Sequence, residues 1–276
     1  MSTSTATPQV GPRTGHPDPT TGPGQVFLAV LWRDVFVTGK ELVVFFAQVI
    51  LQPLFLLFVF GKVLTELGYA QHDFARLLFP GIVALTAMIT AIQSTALPLV
   101  IDFSFSKEIE DRLLAPMPTW AVAVEKIIFS ATRSLIAAAV MFPVGVWILG
   151  SIPFPAAGIP LMVAVLILGA LVGAAIGLTL GTVVPPSRIN IIFALILTPL
   201  LFTGASQYPW LSLHRILWFQ VVTAFNPLTY VSEGMRAALV PDVPHIHPWI
   251  SLLVLVGSLA LFTWTGICGF LRRAID

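Results

Sequence analysis

The sequence predicts an all-α integral membrane protein: six transmembrane helices, with an N-terminal interfacial helix and an outer re-entrant helical hairpin before the last span. Three observations predict it. The composition is too apolar for a soluble surface, the charges fall at intervals that let a helix cross a bilayer, and one long apolar stretch is interrupted by proline and charge. Of 276 residues, 57% are hydrophobic and 10% charged, with a mean hydropathy of +0.94, whereas a soluble domain carries about 25% charge. The net charge of +1 sets up no field for nucleic acid, so no nucleic-acid partner is expected. The basic residues inform through their position relative to the membrane. Cys268 is the single cysteine, which rules out an internal disulfide and a Cys-clustered metal site; it is expected to pack as a small hydrophobe.

Residues 1–24 are rich in Thr, Pro and Gly and hold no apolar run that could form a signal-peptide core. Such a segment buries too little surface to offset the entropy of ordering, and is expected to be a disordered cytoplasmic tail. Residues 25–276 form the transmembrane domain. At its start, QVFLAVLWRDVFVTGKE (25–41) sets Arg33, Asp34, Thr38 and Glu41 on one helical face and Phe27, Val30, Leu31 and Val35 on another. With Lys40 near its end, this reads as a helix lying in the interface.

Crossing about 30 Å of hydrocarbon takes roughly 20 helical residues. Span one lies between Glu41 and Lys62, and span two between Arg76 and Asp102. The charge-free interval from Arg133 to Arg188 holds two crossings around the turn GSIPFPAAGIP, so spans three and four run roughly from Glu125 to Leu149 and from Pro160 to Val184. Span five follows PPSRIN to about Gly204, and span six runs from Trp249 to Leu271. Between the last two spans, Ser206 to Trp249 is apolar but broken by Pro209 and Pro227, and it carries Glu233 and Arg236. Irregular backbone at membrane depth survives only under cover of protein or in a wet cavity, which predicts a re-entrant hairpin at about 206–240 on the outer side.

Arg33, Lys40, Lys107, Arg112, Lys126, Arg188, Arg272 and Arg273 fall on one side of these spans, and Lys62, Arg76, Arg215 and Arg236 on the other. The excess of Lys and Arg puts both termini in the cytoplasm.

SKEIEDRLLAPMP, Ser106 to Pro118, has five charges in six consecutive positions. On a helix Glu108 meets Arg112, Lys107 meets Asp111, and Ile109 and Leu113 form a ridge between the pairs. Pro116 and Pro118 stop the helix. A solvated, positive-inside loop would explain Lys and Arg alone; mixed charge in helical register around an apolar ridge suits docking into a partner's groove.

Elsewhere each polar group has a plain and a functional reading. Arg133 lies about 10 Å deeper than Lys126 along span three, where it either snorkels to the interface or serves an anionic substrate or a dimer contact. Glu233 and Arg236, three apart, either pair to offset burial or shape an outer gate. Asn226 caps the helix begun by Pro227 at the second turn of the hairpin. Gln48, Gln52 and Pro53 in span one and Gln93, Ser94 and Thr95 in span two either bond between helices or line a substrate path. Tyr208, Trp210, Trp218, Tyr230 and Trp249 form an interfacial belt, or else a stacking platform. His214, His245 and His247, with Asp242, make no convergent ligand set, so no metal is expected.

LLFPGIVALTAMITAIQSTALPLVIDFSFSKEIEDRLLAPMPTWAVAVEKI (Leu77 to Ile127) and NPLTYVSEGMRAAL (Asn226 to Leu239), in this order and spacing, resemble the ABC-2 type permeases. These are the membrane subunits of bacterial ABC exporters for drugs and for lipid-linked or polymeric glycans, and the resemblance covers about Phe27 to Arg273. It implies that residues 104–116 form the coupling helix, with Lys107, Glu108, Ile109, Glu110, Asp111, Arg112, Leu113 and Pro116 facing a cleft on an ATPase subunit. The chain departs from many members at Lys107 and Glu108, where they carry small or neutral residues. Also implied are two ATPase subunits, a second permease copy or a related subunit, surrounding membrane lipids and the bacterial cytoplasmic membrane. The cargo would be an amphipathic drug, lipid or lipid-linked glycan moved outward. Nucleotide belongs to the partner: the only Gly-Lys pairs, Gly39-Lys40 and Gly61-Lys62, lack the G-x-x-x-x-G-K-[ST] frame. The chain is therefore expected to be no enzyme and to hold no cofactor, with ATP and Mg2+ on the ATPase.

The alternative is an ion-coupled secondary transporter or a channel with no ATPase partner. Ion-coupled carriers place acidic groups inside the bundle, and spans one, two, four, five and six have no central Asp or Glu. A membrane-embedded enzyme would need a close set of catalytic groups, and none is evident.

Overall fold

The computed structural model describes residues 42–69, 74–102, 118–152 and 154–275, with side chains in the first stretch from Val49 onward. The interface helix at 25–41 and the coupling segment at 104–116 lie outside these residues, as does the side chain of Gln48. Eight helices follow one another among the described residues. α1 comprises Leu42–Leu56, a π-helical stretch Leu57–Val63 and the turn Leu64–Glu66. α2 is Phe74–Ile101, α3 Thr119–Leu149 and α4 Ile159–Val183. α5 is Ile189–Thr203, α6 Leu217–Ala224, α7 Pro227–Leu239 and α8 Pro248–Ile275. No strand occurs among the described residues.

Among the described residues, five stretches are long and apolar enough to cross a membrane: Val49–Glu66, Phe74–Ile101, Thr119–Leu149, Ala156–Val183 and Pro248–Arg273. They correspond to the expected spans one, two, three, four and six. The expected span five is α5, whose 15 residues extend only about 22 Å at 1.5 Å per residue.

α2 is the centre of the bundle. Its buried residues run around the whole helix, among them Leu78, Phe79, Ile82, Met88, Ile92 and Leu99, as for a helix enclosed on all sides. α3, α4 and α7 pack directly on it. The approach of α4 depends on a stripe of glycines four apart, Gly169, Gly173, Gly177 and Gly181. A Cβ at Gly173 would stand 2.8 Å from the Met88 carbonyl oxygen, and one at Gly177 2.6 Å from that of Ile92. Between apolar helices in lipid there is little hydrophobic drive, so close backbone contact supplies the attraction. On another face of α4, Thr179 Oγ1 lies 3.1 Å from the Phe262 carbonyl and 3.2 Å from Thr265 Oγ1, tying α4 to α8.

α7 is driven into this bundle. A Cβ at Gly158 would meet the Ala238 carbonyl oxygen at 1.9 Å, one at Gly234 would meet Val165 at 2.8 Å, and one at Gly169 would meet Val231 at 2.7 Å. α7 therefore runs antiparallel to α4, with its C-terminal end level with the start of α4 and its N-terminal end about 16 Å deeper. α6 precedes it across the tight turn at Phe225–Asn226 and stays on the surface, with Leu217, Trp218 and Phe225 exposed.

Replacing Gly177 with valine is expected to force α2 and α4 apart, lowering stability by at least 1–3 kcal/mol. Gly257→Ala, at a position where an added methyl group would meet nothing within 4 Å, is expected to be neutral or slightly stabilising. Thermal unfolding of both variants in detergent checks the pair.

Candidate functional site

Three features could serve transport: the capped hairpin, a groove beside it, and an ion pair at the far end of the bundle. A helix leaves its last four carbonyls without intrahelical partners, and at depth these must be answered by protein. At the end of α5 they are. Asn226 Nδ2 donates to the Leu200 carbonyl at 2.9 Å, and Thr229 Oγ1 to that of Thr203 at 3.2 Å. The Tyr208 hydroxyl donates to the Phe202 carbonyl, and Ser206 Oγ makes a long 3.5 Å contact to Leu201. Asn226 also begins α7: its Oδ1 accepts from the Leu228 N–H at 2.9 Å, an N-cap followed by Pro227 at the first helical position. Tyr230 donates to the Ala224 carbonyl at 2.9 Å, holding α6 against α7.

One turn further, Glu233 and Arg236 form an ion pair with both side chains fully buried. Glu233 does more than neutralise the arginine. Oε1 also accepts the Trp210 N–H at 2.9 Å, and Oε2 accepts the Ile246 N–H at 3.0 Å. Arg236 passes a second bond, 3.1 Å, to the Ala205 carbonyl. Ala205 is held at φ 47°, a left-handed conformation that costs a Cβ-bearing residue about 1 kcal/mol. One carboxylate and one guanidinium thus fix the loop after α5, the turn Trp210–Arg215 and the loop leading to α8. Pairing and these hydrogen bonds are what make such burial tolerable, with Arg236 Nε the one guanidinium nitrogen that has no hydrogen-bond partner.

Beside the hairpin, α1, α2 and α5 enclose a groove of about 450 Å³. Its walls are mostly apolar, Leu56, Phe60, Ile89 and Leu201 among them, with the amides of Gln52 and Gln93 set into them. On the other side of Gln93 a smaller cavity of about 160 Å³ is lined by Thr90, Ser94, Leu97 and Arg133. The structure thus sets Gln52 and Gln93 on one cavity and Gln93 and Arg133 on its neighbour.

At the opposite end of the bundle, Lys126 Nζ meets Asp102 Oδ2 at 3.0 Å in a largely buried pair. It joins the last residue before the 103–117 connection to the second turn of α3. Arg273 Nη1 donates to the Gly181 carbonyl at 2.9 Å and to those of Thr182 and Val184 at 3.3 and 3.4 Å, closing the C-terminus of α4 with a cation, where the helix dipole favours one.

The comparisons with known proteins agree on one family. The pattern of the ABC-2 type transporter matches residues 25–240. The chain belongs to this family. The ABC-2 chain is 24% identical over 212 residues to the inner membrane transport permease YadH of Escherichia coli K12, covering 75% of this chain and 80% of that protein. The YadH of Shigella flexneri matches to the same extent. The putative transport permease ycf38 of Cyanophora paradoxa is 26% identical over 215 residues, covering 76% of this chain and 72% of its own length.

Among the expected site residues of this ABC-2 chain, Asn226, Pro227, Tyr230, Glu233 and Arg236 gather around the hairpin. Lys107, Glu108, Ile109, Glu110, Asp111, Arg112, Leu113 and Pro116 lie outside the described residues, together with Arg33, Asp34, Lys40 and Glu41. His214 and His245 each meet a nearby backbone carbonyl, at 3.1 and 2.7 Å, and no group of three metal-type side chains occurs among the described residues. Sequence reading passed over the Asp102–Lys126 pair, Gln207 in the groove wall and the glycine stripe. Of these, the stripe had a readable signal, glycine at every fourth position from 169 to 181.

Glu233→Met is expected to cost about 3–5 kcal/mol, because it strands a buried guanidinium and two backbone N–H groups. Arg236→Met leaves the carboxylate with two donors and is expected to cost less, about 1–3 kcal/mol. Unfolding of the two single variants in detergent, compared side by side, tests the asymmetry.

Proposed function

We propose that this chain is the permease subunit of an ATP-driven ABC exporter that moves an amphipathic drug, lipid or lipid-linked glycan outward across the bacterial inner membrane. Family membership carries the reading, and the inner-membrane location follows the name of the YadH relatives. Two copies, or this chain and a related subunit, enclose the path; two ATPase subunits dock beneath and hold ATP and Mg2+. Both termini lie in the cytoplasm. In this arrangement α5 counts as the fifth of six crossings, completed to the outer side by a re-entrant α6–α7 hairpin. The depth of the α7 N-terminus and the capping of α5 by hairpin side chains support that reading.

Residues 104–116 act as the coupling helix, with Lys107 to Leu113 and Pro116 on the ATPase, seconded by the interface helix through Arg33, Asp34, Lys40 and Glu41. The clasp of Asp102 to Lys126 supports this, since force on the segment reaches α2 and α3 together. Closure of the ATPase pair moves the spans as rigid bodies. Gln48, Gln52, Gln93 and Arg133 line the cargo path, and Asn226, Pro227, Tyr230, Glu233 and Arg236 hold the outer gate.

The double variant Ile109→Asp, Leu113→Asp is expected to abolish ATP-dependent export from vesicles carrying both subunits, while insertion and folding stay normal. Unchanged export by that variant would refute the coupling role. Proton-driven cargo movement with no ATPase present would overturn the exporter reading itself.

A further inference from the structure

Resting on the reading of the α1–α2–α5 groove as cargo path, we propose that the part of the cargo held there is uncharged, an amphiphile with an apolar body and a hydrogen-bonding head of hydroxyl or amide type. The observation is that polar side chains from four different elements converge on one apolar groove of about 450 Å³, and none of them is ionised. They are Gln52 of α1, Gln93 of α2, Thr198 of α5 and Gln207 of the loop after α5. No hydrogen bond joins any of these four side chains to another described residue. Their ordinary use, bonding between neighbouring helices, is thus left unfilled. The remaining wall is aliphatic and aromatic, Phe60 and Leu201 included. A few convergent polar groups on such a wall are the usual make-up of a small-molecule site.

Gln93 lies about 12 Å from the end of α2 and about 28 Å from its start at 1.5 Å per residue, well inside a crossing helix. In an apolar groove at that level an unmet amide is costly, so the carboxamides favour a ligand that brings donors and acceptors together. Each carboxamide offers two N–H donors and one carbonyl acceptor, and Thr198 adds a hydroxyl that does either. A hydroxyl or amide head answers both kinds of group; an ether head answers the donors alone. An ionised head of either sign would leave water for a lining with no counter-charge among the described residues, a cost that neutral dipoles offset only in part. Arg133 does not alter this balance, because it lines the neighbouring cavity beyond Gln93 and is already engaged within the chain.

The test uses the full chain in phosphatidylcholine nanodiscs without the ATPase, so that it reads binding alone. Radiolabelled 1-dodecylglycerol is titrated against protein-containing and empty discs. It is then displaced with unlabelled dodecylglycerol, dodecanamide, the dimethyl ether of dodecylglycerol, dodecyl phosphate or dodecyltrimethylammonium. Saturable binding above the empty discs is expected, displaced by dodecylglycerol or dodecanamide roughly tenfold more effectively than by the dimethyl ether or either ion. The stronger of the two neutral competitors tells a polyol cargo from an amide one. The double variant Gln93→Leu, Gln207→Leu is expected to weaken probe binding about tenfold, the loss of one or two hydrogen bonds, and to bring the dimethyl ether level with the diol. Leu201→Trp, which fills the groove, lowers affinity for all of them alike. No saturable binding, as when a second copy of the chain covers the groove, overturns the proposal. So does displacement by an ion or by the dimethyl ether as strong as by the diol, or unchanged binding by the double variant. If that variant fails to fold, Gln207→Leu alone and the order of competitors on the native chain decide. A chain that binds the diol selectively but exports nothing with its ATPase sinks the exporter reading and leaves the neutral site standing. ATP-driven export of an ionised amphiphile, with no neutral one bound, does the reverse.

Discussion

The architecture turns on one constraint, that the terminal carbonyls of a short helix in an apolar setting must be answered by other parts of the chain. α5 stops after 15 residues, short of a full crossing, and Asn226, Thr229, Tyr208 and Ser206 supply the missing donors. Without them, the last carbonyls of α5 would be left without partners, at about 1–3 kcal/mol for each buried group. That requirement fixes where the α6–α7 turn lies, because Asn226 must reach α5 with its amide nitrogen while starting α7 with its oxygen. The buried Glu233–Arg236 pair follows from the same logic one turn on, securing the flanking loops by their backbone N–H and C=O groups.

Depth also requires room. α7 can penetrate because the positions where it meets α4 and its preceding turn are glycines or face them: Gly158 against Ala238, Gly169 against Val231, Gly234 against Val165. The same stripe continues down α4 to bring α2 into backbone contact at Gly173 and Gly177. Glycine in a helix interior costs about 1 kcal/mol relative to alanine, and close packing in an apolar medium offsets that cost here. Small residues and buried polar bonds thus serve one end, a dense block of α2, α3, α4, α7 and α8.

Much of this was legible in the sequence. Charge spacing placed the long helices within a few residues of where they lie, because an ionised side chain at mid-depth is costly and so marks the ends. The i,i+3 spacing of Glu233 and Arg236 made their pairing readable, and Asn-Pro marked the start of α7. What the pair also holds could not be read, since the N–H groups of Trp210 and Ile246 reach Glu233 only through tertiary folding. Asp102 and Lys126, 24 positions apart, looked like separate boundary charges for the same reason. The 15-residue length of α5 was hidden by the continuing apolarity of the loop beyond it, which hydropathy cannot tell from helix.

The groove inherits an asymmetry from this block. Its α2 wall belongs to the most enclosed of the five long stretches, with 78% of the apolar window buried, whereas the facing α1 stretch is only 17% buried and carries a wide-wound π segment that includes Phe60. One wall is held by packed helices on every side, and the other has few neighbours among the described residues. Displacing α1 to fit a wider molecule would therefore break fewer packing contacts than displacing α2.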